Sequence, residues 1–126
     1  MNEQRQVQDV QFFGVRRTVD DLGRIVIPAE FRTLLKLKPR SDIAYQNVYV
    51  TGFGQGIFVF KPPKKMVGGR RIDELGRFTA PVRMCREHGI HKQGIVELVP
   101  VRLDGLGYGL FIHSVSGDCV VGEELE

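Results

Sequence analysis

Cysteine is scarce in this chain: Cys85 and Cys119 are the only two among 126 residues. They form no CxxC pair and no disulfide-scaffold spacing, so a disulfide-framed module is excluded. Cys85 falls within an expected helix, where it reads as a small buried or half-buried hydrophobe. No apolar run approaches the roughly 20 residues that a membrane-spanning helix needs. The opening segment MNEQRQVQDVQ is polar and lacks the apolar core of a signal peptide. The expected location is therefore the cytoplasm, with no membrane partner.

Catalytic and cofactor signatures are missing as well. The GxGxG runs at 52–56 and 105–109 lead into strands rather than a helix, so they read as turn glycines and not as a phosphate cradle. Asp20 and Asp73 have no neighbours that complete an acid–base set, and an acid before a glycine turn more commonly accepts backbone N–H bonds. Cys85, His88 and His91 are spaced by three, but His91 falls beyond the helix end and no fourth ligand stands at motif spacing. The expectation is a protein that is not an enzyme, with no cofactor and no metal.

What the chain does have is an uneven charge. Its net charge is +3, yet the stretch from Arg16 to Arg86 holds 15 Lys/Arg against 6 Asp/Glu, a local excess of +9. The final nine residues, DCVVGEELE, carry four acids and no base. A basic body with an acidic end points to a polyanionic partner for the body. With 42% hydrophobic and 26% charged residues, the composition is that of a folded globular chain rather than a disordered one.

The chain also repeats itself. Shifted by 53 residues, RTVDDLGRIVIP (17–28) falls on RRIDELGRFTAP (70–81), and VYVTGFGQGIFVF (48–60) falls on VRLDGLGYGLFIH (101–113) without a gap. Eleven of the 44 aligned positions are identical. They pair Arg17/Arg70, Asp20/Asp73, Leu22/Leu75, Gly23/Gly76, Arg24/Arg77 and Pro28/Pro81, then Val48/Val101, Gly52/Gly105, Gly54/Gly107, Gly56/Gly109 and Phe58/Phe111. This is a tandem duplication. A unit of this length is too short to bury a stable core alone, so two units closing one shared core are expected.

Within the first unit, Val15 to Val19 and Arg24 to Ile27 read as strands joined by the Asp20-Asp21-Leu22-Gly23 turn. Pro28 ends the second strand and starts a helix of about two turns, AEFRTLLK. Phe31, Leu34 and Leu35 are expected on its inner face, with Arg32 and Lys36 on the other. Ile43 to Val50 is a third strand, Gly52, Gly54 and Gly56 the loop, and Ile57 to Phe60 a fourth strand. The second unit repeats this order with a less apolar helix, because Glu87 and His88 replace Leu34 and Leu35. Gly89 is placed to stop that helix, and this half is expected to be the looser one. The resulting class is mainly β with two short helices. Its organisation is an N-terminal extension (1–13), a first unit (14–61), a linker (62–69), a second unit (70–114) and an acidic tail (115–126).

The segments V-D-D-L-G-R-I-V-I-P-A-E-F-R and I-D-E-L-G-R-F-T-A-P resemble the DNA-binding motif of the AbrB/SpoVT/MazE family, here present twice in one chain as in MraZ-type members. The resemblance covers roughly residues 15–61 and 68–114. It implies a swapped-hairpin β-barrel, in which two tandem ββαββ units interleave their hairpins as an intrachain pseudo-dimer. It also implies DNA-contacting arginines. Those before the acidic pair become Arg17 and Arg70, and those after the glycine become Arg24 and Arg77. The helix keeps Arg32 in the first copy and Arg86 in the second, at non-equivalent positions. Arg17, Arg24 and Arg32 are expected to converge on one surface, with Arg16, Lys36, Arg70, Arg71, Arg77 and Arg86 completing the set. The implied function is sequence-selective binding of double-stranded DNA by a nucleoid-associated transcription regulator. The alternative is an antitoxin-like or other protein-binding regulator, docking a protein partner through the C-terminal tail. Self-association into a homo-oligomer is left open.

Overall fold

A computed structural model describes residues 3–5, 7–10, 14–62 and 70–115. Linker residues 63–69, and the acidic tail from residue 116 with Cys119, lie outside the described residues. The elements in chain order are β1 (Glu3–Arg5), β2 (Val7–Val10), β3 (Val15–Thr18), β4 (Arg24–Val26), α1 (Ala29–Leu34), β5 (Asp42–Val50) and β6 (Gly54–Phe60). They continue as β7 (Arg70–Arg71), β8 (Arg77–Thr79), α2 (Val82–Glu87), β9 (Ile95–Leu103) and β10 (Gly107–Ser114). The protein is mainly β, with a curled half-barrel sheet and two short helices. β4, α1 and β5 recur as β8, α2 and β9 with boundaries displaced by the same 53 residues as the sequence repeat.

The large sheet runs β1-β5-β6-β10-β9-β2, with β3 also on β9 and β7 also on β5. The strands before and after each turn are bonded to the opposite copy. Thus β3 lies antiparallel on β9 (Val15↔Leu98), β7 on β5 (Ile43↔Arg70), and β4 pairs with β8. At two places, repeat-equivalent residues face each other: Ile25 opposite Phe78, and Phe58 opposite Phe111. An antiparallel pair centred on equivalent residues has the symmetry of a local two-fold.

That symmetry explains how two short units share a core. Ile25, Ile27, Phe31 and Val59 of the first copy are buried together with Phe78, Ala80, Leu98 and Ile112 of the second. A second cluster unites Val48, Val50, Phe58, Val101, Leu103 and Phe111. Neighbouring residues of β6 (Ile57 and Val59 against Phe58) serve different clusters, as the two-residue period of a strand buried on both faces requires.

Three features depart from the sequence reading, and a fourth agrees with it. Gly56 and Gly109 are strand residues, not loop: a Cβ on Gly109 would lie 2.5 Å from Cζ of Phe58, and one on Gly56 would lie 2.7 Å from Cζ of Phe111. Each glycine makes room for the other copy's ring, a need that no local pattern reveals. Leu34 is 41% exposed and does not join Phe31 and Leu35 inside, because α1 ends at its own residue and leaves Leu37 to fill the core from the following turn. The N-terminal extension contributes β1, parallel to β5, and β2, antiparallel to β9. Its polar composition gave no strand signal. Finally, α2 buries none of its residues completely. This fits its less apolar sequence.

Candidate nucleic-acid interface

The site begins with two equivalent turns. The Gly23 amide donates to the Asp20 carbonyl at 3.0 Å and the Asp20 amide to the Arg24 carbonyl at 3.0 Å, closing a three-residue hairpin loop. Asp73, Gly76 and Arg77 repeat these bonds at 3.1 and 2.9 Å. Gly23 (φ 78°) and Gly76 (φ 80°) occupy the left-handed position that such a loop requires.

Each aspartate organises its turn. Asp20 Oδ1 accepts the amides of Leu22 (2.9 Å) and Arg24 (2.7 Å), while Oδ2 accepts Nε of Arg24 at 2.7 Å. Asp73 does the same for Leu75 (2.9 Å), Arg77 (2.8 Å) and Nε of Arg77 (2.7 Å). The Asp20 carboxyl is held below its ordinary range by the Arg24 amide first, against some desolvation, with the guanidinium and the Leu22 amide assisting. For Asp73, desolvation pushes upward, and the bonds from Arg77 and Leu75 more than offset it. Both therefore stay ionised at neutral pH, and both arginines are aimed by a fixed negative charge.

The arginines stand on the two-stranded ribbon of β4 and β8. Its register sets Arg24 opposite Thr79 and Val26 opposite Arg77. Ile25 and Phe78 face the core, so Arg24, Val26, Arg77 and Thr79 share the outer face. Arg24 and Arg77 are diagonal neighbours, about 7–8 Å apart at the backbone. Among the described residues, Nε is the only nitrogen of either guanidinium with a hydrogen bond, which leaves both terminal nitrogens of each fork for a ligand. Tyr45 ties the ribbon to β5 by donating to the Thr79 carbonyl at 2.9 Å, and burial pushes its phenol well above the usual range.

The helix arginines do not join the turns of their own copy, as the sequence reading expected. A Cβ on Gly76 would lie 2.7 Å from Cζ and Nη1 of Arg32, so this guanidinium rests on the bare turn of the second copy. Its Nε is buried and has no hydrogen-bond partner among the described residues. Arg86 lines a cavity of about 400 Å³ together with Leu22 and Gly23 of the first copy. With β4 paired to β8, each helix arginine lies at the other copy's turn: Arg32 at Arg77's and Arg86 at Arg24's. Cys85 occupies the position equivalent to Arg32, and among the described residues only the Thr79 methyl, at 4.0 Å, approaches a Cβ built on Gly23. The cavity over that turn is the space that Arg32 fills over the other. Burial raises the Cys85 thiol above its ordinary range, which disfavours a reactive thiolate there.

The other candidates are placed less centrally. Arg16 and Arg17 lie on β3, opposite Glu97 and Val96, and Arg17 Nη1 donates to the Arg16 carbonyl at 3.0 Å. Arg70 is exposed on β7, and Arg71 forms an ion pair with Asp42 at 3.3 Å. Lys36, left-handed at φ 58° where its equivalent Gly89 has φ 68°, borders an open concavity of about 610 Å³ with Arg32, Lys38 and Lys61. None of its described lining residues is acidic. Lys38 and Lys61 were not anticipated. Lys61 Nζ donates to the Lys36 carbonyl at 3.3 Å across 25 residues of sequence, a proximity that only folding creates. Among the described residues there is no group of His, Cys, Asp and Glu side chains able to hold a metal ion. Likewise, no helix among them is long and apolar enough to cross a membrane.

Comparison with family models, with curated proteins and with solved structures found no match.

Proposed function

We propose that this chain is a sequence-selective, double-stranded-DNA-binding transcription regulator of the AbrB type, with two tandem ββαββ units forming one swapped-hairpin barrel as an intrachain pseudo-dimer. The exchange of β3 and β7 between copies supports that arrangement. The observation that carries the function is the outer face of the β4–β8 ribbon, where each copy supplies one arginine held by its own aspartate. A two-stranded ribbon fits the major groove of B-DNA, and a guanidinium fork can bond guanine O6 and N7 or a phosphate. Arg32, Lys36, Lys38 and Lys61 beside it add positive charge suited to the phosphate backbone. The protein acts by binding, without catalysis or a cofactor, on nucleoid DNA. The two faces are related but not equivalent, since Arg32 lies over one turn and a cavity over the other, so an asymmetric or loosely palindromic site is expected.

Selection from a random duplex pool, followed by binding measurements across a salt series, tests this reading. Replacing Arg24 and Arg77 with Ala should abolish the gel shift at moderate salt. Residual low-salt binding should show a log–log salt slope about 1.8 shallower if both arginines meet phosphates. The melting temperature should change little, because part-exposed surface pairs of this kind contribute modestly. A folded double variant that binds as tightly as the parent would sink the assignment.

A further inference from the structure

The eleven identities shared by the two copies can be sorted by what the fold demands. Eight have a structural role. Asp20/Asp73 organise the turns, Gly23/Gly76, Gly52/Gly105 and Gly54/Gly107 hold positive φ, and Gly56/Gly109 admit a ring. Pro28/Pro81 begin the helices, and Val48/Val101 and Phe58/Phe111 are fully buried. Two more pairs, Arg17/Arg70 and Arg24/Arg77, belong to the basic surface already described. One pair remains.

Leu22 and Leu75 are 66% and 65% exposed, among the most exposed large hydrophobic residues of the protein. Only their backbone amides are used by the turns. The third residue of such a turn tolerates most side chains and ordinarily carries a polar one. An isolated exposed leucine needs no explanation. Two at equivalent tips, each one residue before the left-handed glycine and two before a clamped arginine, do.

Their surroundings select the partner. Leu22 shares a cavity lining with Arg86 and lies two residues before Arg24. Leu75 adjoins Gly76, on which Arg32 rests, and lies two residues before Arg77. Because Arg24 pairs opposite Thr79 and Arg77 opposite Val26, the two leucines stand at opposite ends of the ribbon. Each is thus an apolar tip set between guanidinium groups. A surface of that composition suits a polyanion that also exposes methyl groups, which is what thymine presents in the major groove beside the phosphates.

Resting on the DNA-binding reading, we infer that Leu22 and Leu75 are specificity-determining residues that pack against thymine C5-methyl groups at the two ends of the site. The test uses the full chain and the duplex recovered by pool selection, with each thymine replaced in turn by deoxyuridine, which removes only the methyl. One thymine in each half should lose about fourfold in affinity, as expected for one buried methyl. That loss should vanish at one end in Leu22→Ala and at the other in Leu75→Ala, with the salt slope unchanged. Tight binding that is indifferent to deoxyuridine, a recovered site without thymine in the halves, or sensitivity that persists in both variants overturns the leucine assignment alone. Absence of any duplex binding by the parent at low salt overturns the DNA reading and this inference together. A change of oligomeric state in Leu22→Ala/Leu75→Ala by light scattering would assign the tips to self-association instead, and also overturns it.

Discussion

The aspartates that clamp the arginines offer an unusual separation of charge from geometry. Replacing Asp20 and Asp73 with Asn keeps an acceptor for the Leu22 and Arg24 amides and their equivalents, so both turns should persist. What disappears is the pair of charge-assisted bonds at 2.7 Å that aim the guanidinium groups. Two negative charges also leave the surface proposed to face DNA. A carboxylate about 10 Å from a phosphate repels it by roughly 0.4 kcal/mol in water, so removing two should strengthen non-specific binding about fourfold at low salt. Specific binding should move the other way. A well-placed bidentate arginine discriminates between bases by about 1–3 kcal/mol, and releasing it from its aspartate should lower the ratio of specific to non-specific affinity by about tenfold. The assay is competition of the selected duplex against a scrambled one, in the parent and in Asp20→Asn/Asp73→Asn, with melting temperature as the control for folding. A variant that binds both duplexes more tightly by the same factor would refute the aiming role and leave the aspartates as turn residues only.

Two further outcomes follow from the fold. A methyl at Gly109 would meet Phe58 at 2.5 Å and the Val59 carbonyl at 2.6 Å, and one at Gly56 would meet the Ile112 carbonyl at 2.5 Å. Gly109→Ala and Gly56→Ala should therefore each lose about 1–3 kcal/mol in urea unfolding, and a loss below about 0.5 kcal/mol would contradict the close packing. His88 is half-buried with Nε2 2.8 Å from Asn47 Oδ1, and desolvation depresses its pKa below the ordinary 6.5 although Glu87 opposes this. Its neutral form is the one the fold prefers, so its contribution is present above pH 6.5 and is lost as pH falls toward the depressed folded value. The melting temperature of the parent should drop more than that of His88→Gln between pH 7 and pH 5; parallel curves would exclude His88 as the cause.

Residues that act through their own neighbourhood were legible in the sequence. Asp20-Asp21-Leu22-Gly23 and its copy spelled a turn because acid and glycine satisfy a hairpin loop locally, and Pro28 and Pro81 marked helix starts because the ring fixes φ. The 53-residue register showed that the chain is built twice, and from that the shared core. Tertiary structure decided what depends on the other copy. Gly56 and Gly109 read as loop because the ring each accommodates comes from more than 50 residues away. The sequence groups Arg32 with its own copy's turn because it gives proximity along the chain, whereas the pairing of β4 with β8 goes with its placement on Gly76. Lys61 meets Lys36 within its own copy, a proximity that 25 residues of intervening sequence conceal and only folding creates. The turns, the helix starts and the charge follow from local residue chemistry alone. Which arginines share a face depends on the packing of one copy against the other, because that choice is made by contacts between residues that no local pattern connects.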